Sequence, residues 1–448
     1  MGLAYKITTN TVFRAGYGIT YLPTFDIGQN NGFSIATAFI SSTNGGLTPA
    51  NFLSNPYPGG ILQPAGSSLG LATLLGQSFN YSNPNRKIPY VHQFSAQIQQ
   101  QLPWQMLFSV GYAGSRTDDI QVAKQINIVP VPALTLGNAL LTPVVNPFAG
   151  LLPQSNLNGS TVPLQQLLLP YPQFAMVAAL NNSFGYASYD SLQANLEKRL
   201  SKGLYFTVSY TYSKALEATS YLNNQDPFSQ PARRLSGFDA PHRLTIAGGY
   251  NLPFFTNEKG LRNIVLGGWS LNVIAYFQSG LPIPAPTSTG CTPSNTTFNN
   301  TAPGANSSTT CSGGALSTDI NPMLPNTTAL SQQFNTCTIT LTGARQNCSN
   351  PSQPAAWVVQ SPFQLTTLSL YLPGLRTPRP PQVNASLFKT FNFTEAIHLQ
   401  FRAEAFNLTN TAWFGGPNTA INSANFGQVA KVQANDPRSF QLALRLSF

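Results

Sequence analysis

From Ser188 to Ser213 apolar and polar side chains alternate with a period of two, a pattern that an extended strand sorts onto opposite faces. Leu192, Ala194, Leu196 and Leu200 fall on one parity, and Gln193, Asn195, Glu197 and Arg199 on the other. Ser201-Lys202-Gly203 interrupts the pattern as a tight turn, with glycine where a positive φ is favoured. Alternation then resumes, with Leu204, Phe206, Val208, Tyr210 and Tyr212 against Tyr205, Thr207, Ser209, Thr211 and Ser213. This predicts a β-hairpin with about ten residues per strand.

The unit recurs. Phe94, Ala96, Ile98 and Leu102 lead through Pro103-Trp104 to Met106, Phe108, Val110 and Tyr112. Leu244, Ile246, Gly248, Tyr250 and Leu252 return, after a link at Phe254 to Asn263, as Trp269, Leu271, Val273, Ala275 and Phe277. Val383, Ala385, Leu387 and Phe391 turn at Asn392 to Glu395 into Ile397, Leu399, Phe401, Ala403 and Ala405. An early strand with Phe13, Ala15, Tyr17, Ile19 and Tyr21 follows a turn at Asn10, and the chain ends on Phe440, Leu442, Leu444, Leu446 and Phe448.

Between these hairpins run long Gly-, Pro-, Asn-, Ser- and Thr-rich segments, approximately 23–89, 115–186, 216–241, 281–380 and 410–437. Long unstructured loops count against a compact soluble domain, whereas outer-membrane barrels alternate short periplasmic turns with long extracellular loops. The expected fold is therefore all-β: an antiparallel transmembrane β-barrel portion of about eleven membrane strands spanning residues 1–448. The short turns would be periplasmic.

Charge sharpens this reading. Only 8% of the chain is Asp, Glu, Lys or Arg, against roughly 25% in an ordinary soluble domain. Gly (35) and Pro (36) are too frequent for a helix bundle. No Asp, Glu, Lys or Arg occurs between Gln125 and Tyr189, but eight prolines break that stretch and no apolar run of about 20 residues exists. A membrane would have to be crossed by strands. The net charge of +10 is scattered singly or in twos, as at Lys198-Arg199 and Arg233-Arg234, so no nucleic-acid partner is expected.

If the apolar parity faces outer-membrane lipid, the opposite parity lines the lumen. Its candidate lumen residues are Arg14, Glu197, Arg199, Arg243, Arg402, Glu404 and Arg445. Lys198 and Lys389 fall on the lipid parity close to short turns, where a lysine stem can snorkel to the interface. The last strand, with Phe440, Leu442, Leu444, Leu446 and Phe448, is the expected membrane-insertion signature for the barrel-assembly machinery.

Cys291, Cys311, Cys337 and Cys348 share one long loop at spacings that fit no zinc motif. They are disulfide candidates with three possible pairings, which would suit an oxidising cell surface. Gly66-Ser67-Ser68-Leu69-Gly70 matches G-x-S-x-G in letters only, because the nucleophile elbow needs a strand before it and a helix after it. His92, His242 and His398 sit in separate hairpins, and Asp118-Asp119 is an adjacent acidic pair at a strand top. No catalytic residues, metal site or cofactor are expected, and nothing points to an enzyme.

Together these segments resemble the C-terminal barrel of TonB-dependent receptor-like outer-membrane proteins of the Oar type. The likeness is carried by Thr11 to Gly18, Tyr90 to Gln97, Val110 to Ser115 and Leu192 to Lys214. Phe238 to Arg243, Gly267 to Ser270, Gln278 to Pro282, Leu399 to Asn407 and the last strand add to it in the same order. The resemblance implies 22-stranded barrels plugged by an N-terminal domain, of which about eleven strands would be half. It also implies capture of a small-molecule or oligomeric ligand by the surface loops and TonB-driven uptake. Met1 to Lys6 lacks the lead of a signal peptide, so the chain is expected to start inside a longer protein whose plug, signal and TonB box lie upstream. The TonB complex would then be a partner only through those parts. A surface adhesion protein using the barrel as an anchor is the alternative, and a soluble extracellular carbohydrate-binding β-protein a third.

Overall fold

The computed structural model describes residues 1–23, 31–222, 231–254, 265–286, 315–324 and 330–448, apart from positions 38, 40, 43, 45, 153–154, 361–362, 366–367 and 395. Eleven strands run antiparallel in chain order through one sheet. They are β1 (Gly2–Thr8), β2 (Thr11–Tyr21), β3 (Tyr90–Leu102), β4 (Met106–Gln125), β5 (Val177–Ser201) and β6 (Leu204–Ala218). β7 (His242–Asn251), β8 (Trp269–Gln278), β9 (Gln382–Asn392), β10 (His398–Phe406) and β11 (Ser439–Ser447) complete the path. Short pieces at Phe79–Ser82 and Arg234–Leu235 pair onto β5 and β6. No helix among the described residues is long and apolar enough to cross a membrane, which leaves open a crossing by strands.

Every strand pairs with its neighbour in sequence, so alternate connections fall at opposite ends of the sheet. At one end β1 passes to β2, β3 to β4, β5 to β6, β7 to β8 and β9 to β10; at the other, through the long connections, β2 passes to β3, β4 to β5, β6 to β7, β8 to β9 and β10 to β11. Residues 255–264 of the link expected at Phe254 to Asn263, and Glu395 of the turn after Asn392, lie outside the described residues. At the β5–β6 turn Ser201 pairs with Leu204, while Lys202 (φ 52°) and Gly203 (φ 80°) occupy the two left-handed positions of a type I′ turn. A Cβ on Gly203 would lie 2.6 Å from the Asn251 carbonyl oxygen. Gly203→Ala is expected to lower stability by about 1–2 kcal/mol, read as a shifted urea midpoint in detergent.

Two loops are bounded differently from the sequence expectation. The loop expected over 115–186 is shorter, because β4 continues to Gln125 and β5 begins at Val177. The β6 strand likewise continues past 216 to Ala218. Above Gly114 and Asp190 the ladder carries register shifts between Thr117 and Ile120 and between Val122 and Lys124. Asp119 and Asn181 there adopt positive φ. Bulges of this kind shift side chains from one face to the other, so the strands persist where the period-two signal fails.

Buried apolar residues lie mainly among the long connections. Phe334, Trp357, Ile283 and Ile421, each at most 1% exposed, form the largest cluster, and Trp357 Nε1 donates to the Asn335 carbonyl oxygen at 2.5 Å. Val129, Leu134, Leu140 and Leu169 form a second cluster, and Leu152, Leu157 and Val162 a third. A four-stranded sheet of Ala315–Ser317, Trp357–Val359, Thr338–Ile339 and Arg345–Gln346 belongs to this cap. Cys337 and Cys348 form a disulfide within it, whereas Cys291 and Cys311 lie outside the described residues. The cap is built like a water-soluble protein. The wall of strands is not.

Candidate functional site

Antiparallel register places directly opposed residues on one face. Arg14 is opposite Gln97, Gln97 opposite Gly111, Gly111 opposite Gln193, Gln193 opposite Thr211, Thr211 opposite Arg243, and Arg243 opposite Gln278. One polar row thus crosses β2 to β8. On the same parity Ser386–Glu404–Gln441 and Thr390–Gln400–Arg445 cross β9 to β11, with Arg402 between them. Glu197 shares this face opposite Thr207, with Arg199 two residues on at the short-turn end. Arg14, Glu197, Arg243, Arg402, Glu404 and Arg445 therefore lie on one side of the sheet, while Arg199 falls within the register shift between Lys198 and Ser201. No ion pair joins any two of them among the described residues; Arg402 Nε instead donates to Gln400 Oε1 at 2.7 Å and its guanidinium lies 5.1 Å over the Phe388 ring.

The other face is apolar and bare. Tyr5 (63% exposed), Leu192 (48%), Phe440 (69%), Leu442 (71%) and Leu444 (70%) stand there without cover. Phe448 lies one residue beyond β11 and is 95% exposed. Soluble monomers rarely leave contiguous apolar surface of more than a few hundred Å² in water. Such a face demands an apolar solvent.

Lys198 and Lys389, near the short-turn end of that face, are tethered. Lys198 Nζ donates to the Trp104 carbonyl oxygen at 2.7 Å. Lys389, 3% exposed, donates to the Gly267 carbonyl oxygen and lies 5.0 Å over the Phe391 ring. Both caps use turn or link carbonyls at the short-turn end, adding a fixed acceptor to the expected snorkelling.

Toward the long-loop end the apolar face acquires polar partners that sequence reasoning passed over. Tyr17 Oη lies 2.6 Å from His92 Nδ1, and Tyr210 Oη 2.8 Å from His242 Nδ1. Tyr112 donates to Asp190, whose carboxylate also takes Arg116 Nη2 at 2.9 Å. Arg116 and Asp190 keep the parity of Tyr112 and Leu192, which was the available signal. These groups form a girdle where aromatic and polar tips meet water.

A second feature unread in the sequence ties the wall to its cap. Asp239, whose side chain is fully buried, accepts from the Ala215 backbone N–H at 2.7 Å and from Arg376 Nη2 at 2.5 Å. Arg376 Nη1 donates to the carbonyl oxygens of Asp239 at 2.6 Å and Gly280 at 3.1 Å. A Cβ on Gly280 would sit 1.6 Å from the Thr377 carbonyl oxygen, so this approach needs glycine. Two of the motif segments, Phe238 to Arg243 and Gln278 to Pro282, thus meet at one arginine.

The remaining motifs stay apart. Gly66 to Gly70 precedes a single 3-10 turn at Gly70–Ala72 and has no strand before it. His92, His242 and His398 bond within separate strand pairs, the last to Asn392 Oδ1 at 2.8 Å. Asp119 lies 3.7 Å from Lys87, and Asp118 is paired opposite Tyr90. Among the described residues no group of three His, Cys, Asp or Glu is placed to hold a metal.

An antiparallel wall with one bare apolar face, one polar face and folded loops at one end is the architecture of a transmembrane β-barrel. The family model for the outer membrane beta barrel domain matches residues 1–441, and the chain belongs to that family. Its place is the outer membrane. Among solved structures, the outer membrane transporter YddB from Escherichia coli aligns with 98% of this chain and 39% of its own, at 9% identity and TM-score 0.39. The pyoverdine receptor FpvA from Pseudomonas aeruginosa, bound to pyoverdine, aligns over 100% of this chain and 35% of its own, at 9% identity and TM-score 0.40. A mutant of the ferric enterobactin receptor PfeA from Pseudomonas aeruginosa gives 100% and 40%, at 11% identity and TM-score 0.40. The chain spans at most two-fifths of the length of these three proteins. No curated protein matches the sequence.

Proposed function

We propose that residues 1–448 are the β-barrel part of a TonB-dependent receptor- or transporter-like protein that takes up a ligand across the outer membrane. The observation that carries the reading is the two-faced wall: bare apolar side chains on one face, and a continuous row of mainly polar residues from Arg14 to Gln278 on the other. In this reading the polar face lines a lumen and the long connections are extracellular, where the cap captures the ligand. The short turns are periplasmic. The β11 residues Phe440, Leu442, Leu444 and Leu446, with Phe448, present the strand to the barrel-assembly machinery. A plug and a TonB-contacting segment would come from other parts of the protein.

Uptake is tested by comparing culture medium before and after incubation with cells that carry or lack the full gene. The expected result is depletion of at least one solute by carrier cells alone, abolished by a protonophore. Attachment of cells to a surface that survives the protonophore, with no solute depleted, would support the adhesion reading instead.

A further inference from the structure

At the long-loop end of the polar face, Arg243 of β7 and Arg379, three residues before β9, approach one cavity of about 230 Å³. Tyr276, Gln278 and Gln382 from the same face, and Trp413 from the last long connection, are among the other residues that line it. The Arg379 guanidinium lies 3.9 Å above the centroid of the Trp413 ring, which fixes its plane. Among the described residues no carboxylate lines the cavity. Among the described residues neither Arg243 nor Arg379 has an ion pair, whereas Arg116, Arg234 and Arg376 each have one. Burial, and secondarily the charge of Arg243, pushes the Arg379 guanidinium below its ordinary value.

Two neighbouring guanidinium groups without a counter-charge repel, and an oxyanion between them removes that repulsion while accepting paired N–H donors. Drug-sized ligands occupy pockets of roughly 300–1,000 Å³, so a smaller space suits one charged end of a solute. We infer that Arg243, Arg379 and Trp413 form a subsite for an oxyanion group, carboxylate or phosphate, on a small solute entering from the loop side. As a step in transport the subsite rests on the uptake reading above; as a binding site it does not.

The test uses the full chain folded in detergent, titrated separately with succinate, inorganic phosphate and neutral glycerol while tryptophan emission is followed. A saturable change with succinate or phosphate, absent in Trp413→Phe and absent with glycerol, is expected. The anion that binds more tightly identifies the group. Arg243→Gln and Arg379→Gln should each weaken binding at least tenfold, and Arg379→Lys should weaken it less than Arg379→Gln. Circular dichroism establishes that each variant keeps its β-structure. Should neither anion change the emission at 10 mM (about ten-thousandfold weaker than micromolar binding), the inference is overturned. The same holds if glycerol acts alike, or if folded glutamine variants bind as the parent does. Binding without solute depletion by cells would keep the subsite and remove transport.

Discussion

Val208→Arg is expected to cost about 2–4 kcal/mol of stability in a bilayer, while Ser209→Arg, one residue on, costs little. Val208 is opposite Leu196 on one side and Ile246 on the other, midway along the apolar rise from Leu204 to Tyr212. Leu192, Leu204 and Tyr212 stand exposed on this face, so in a bilayer an arginine there meets hydrocarbon and must snorkel or draw water inward. Ser209 lies on the polar face and donates through Oγ to Asn195 Oδ1 at 2.8 Å, so its replacement loses one ordinary hydrogen bond. Urea unfolding from phospholipid vesicles measures the difference. Equal midpoints for the two variants, or a larger loss at Ser209, would reverse the assignment of the faces.

Arg376→Ala is expected to destabilise the attachment of the cap by about 3–5 kcal/mol, because it strands the Asp239 carboxylate without its cation. That carboxylate is fully buried and, among the described residues, would keep the Ala215 N–H as its remaining partner. The damage should be local. Backbone amides of Ile283 and of Tyr371, Leu372, Gly374, Leu375 and Arg376, on the two segments that pair with each other, should lose hydrogen-exchange protection while those of β5 and β6 near Gly203 keep theirs. Replacing both partners, Asp239→Asn with Arg376→Met, should recover much of the loss, since no charge is then left unpaired. Unchanged exchange in Arg376→Ala would show that the ion pair is not what holds the cap down.

The wall was legible in the sequence because lipid on one side and polar groups on the other impose a period of two. Short connections were legible because Lys202-Gly203 and Pro103-Trp104 punctuate that period with turn chemistry. Eleven strands and the facing of residues such as Arg243 and Leu444 follow from those two signals. The signal stops where the apolar band stops. Beyond Gly114 bulges rotate the side chains, so the ends of β4 and β5 read as loop. Nor does local pattern reveal partners distant in sequence: Asp239 and Arg376 are 137 residues apart, and neither is remarkable alone. The Arg243–Arg379–Trp413 cavity was half-visible for the same reason. Arg243 sits in an alternating strand, whereas Arg379 and Trp413 come from connections with no period at all.

The two free margins of the wall, β1 and β11, have a consequence for closure. Each runs from the long-loop end down to the short-turn end, and no pairing joins them. Brought together they would meet as a parallel pair, unlike every junction along the eleven-strand path. A second wall of this kind, inserted with the same polarity, also descends at both margins and offers the same mismatch. An antiparallel circumference is therefore completed only by an odd number of further strands whose first and last both ascend.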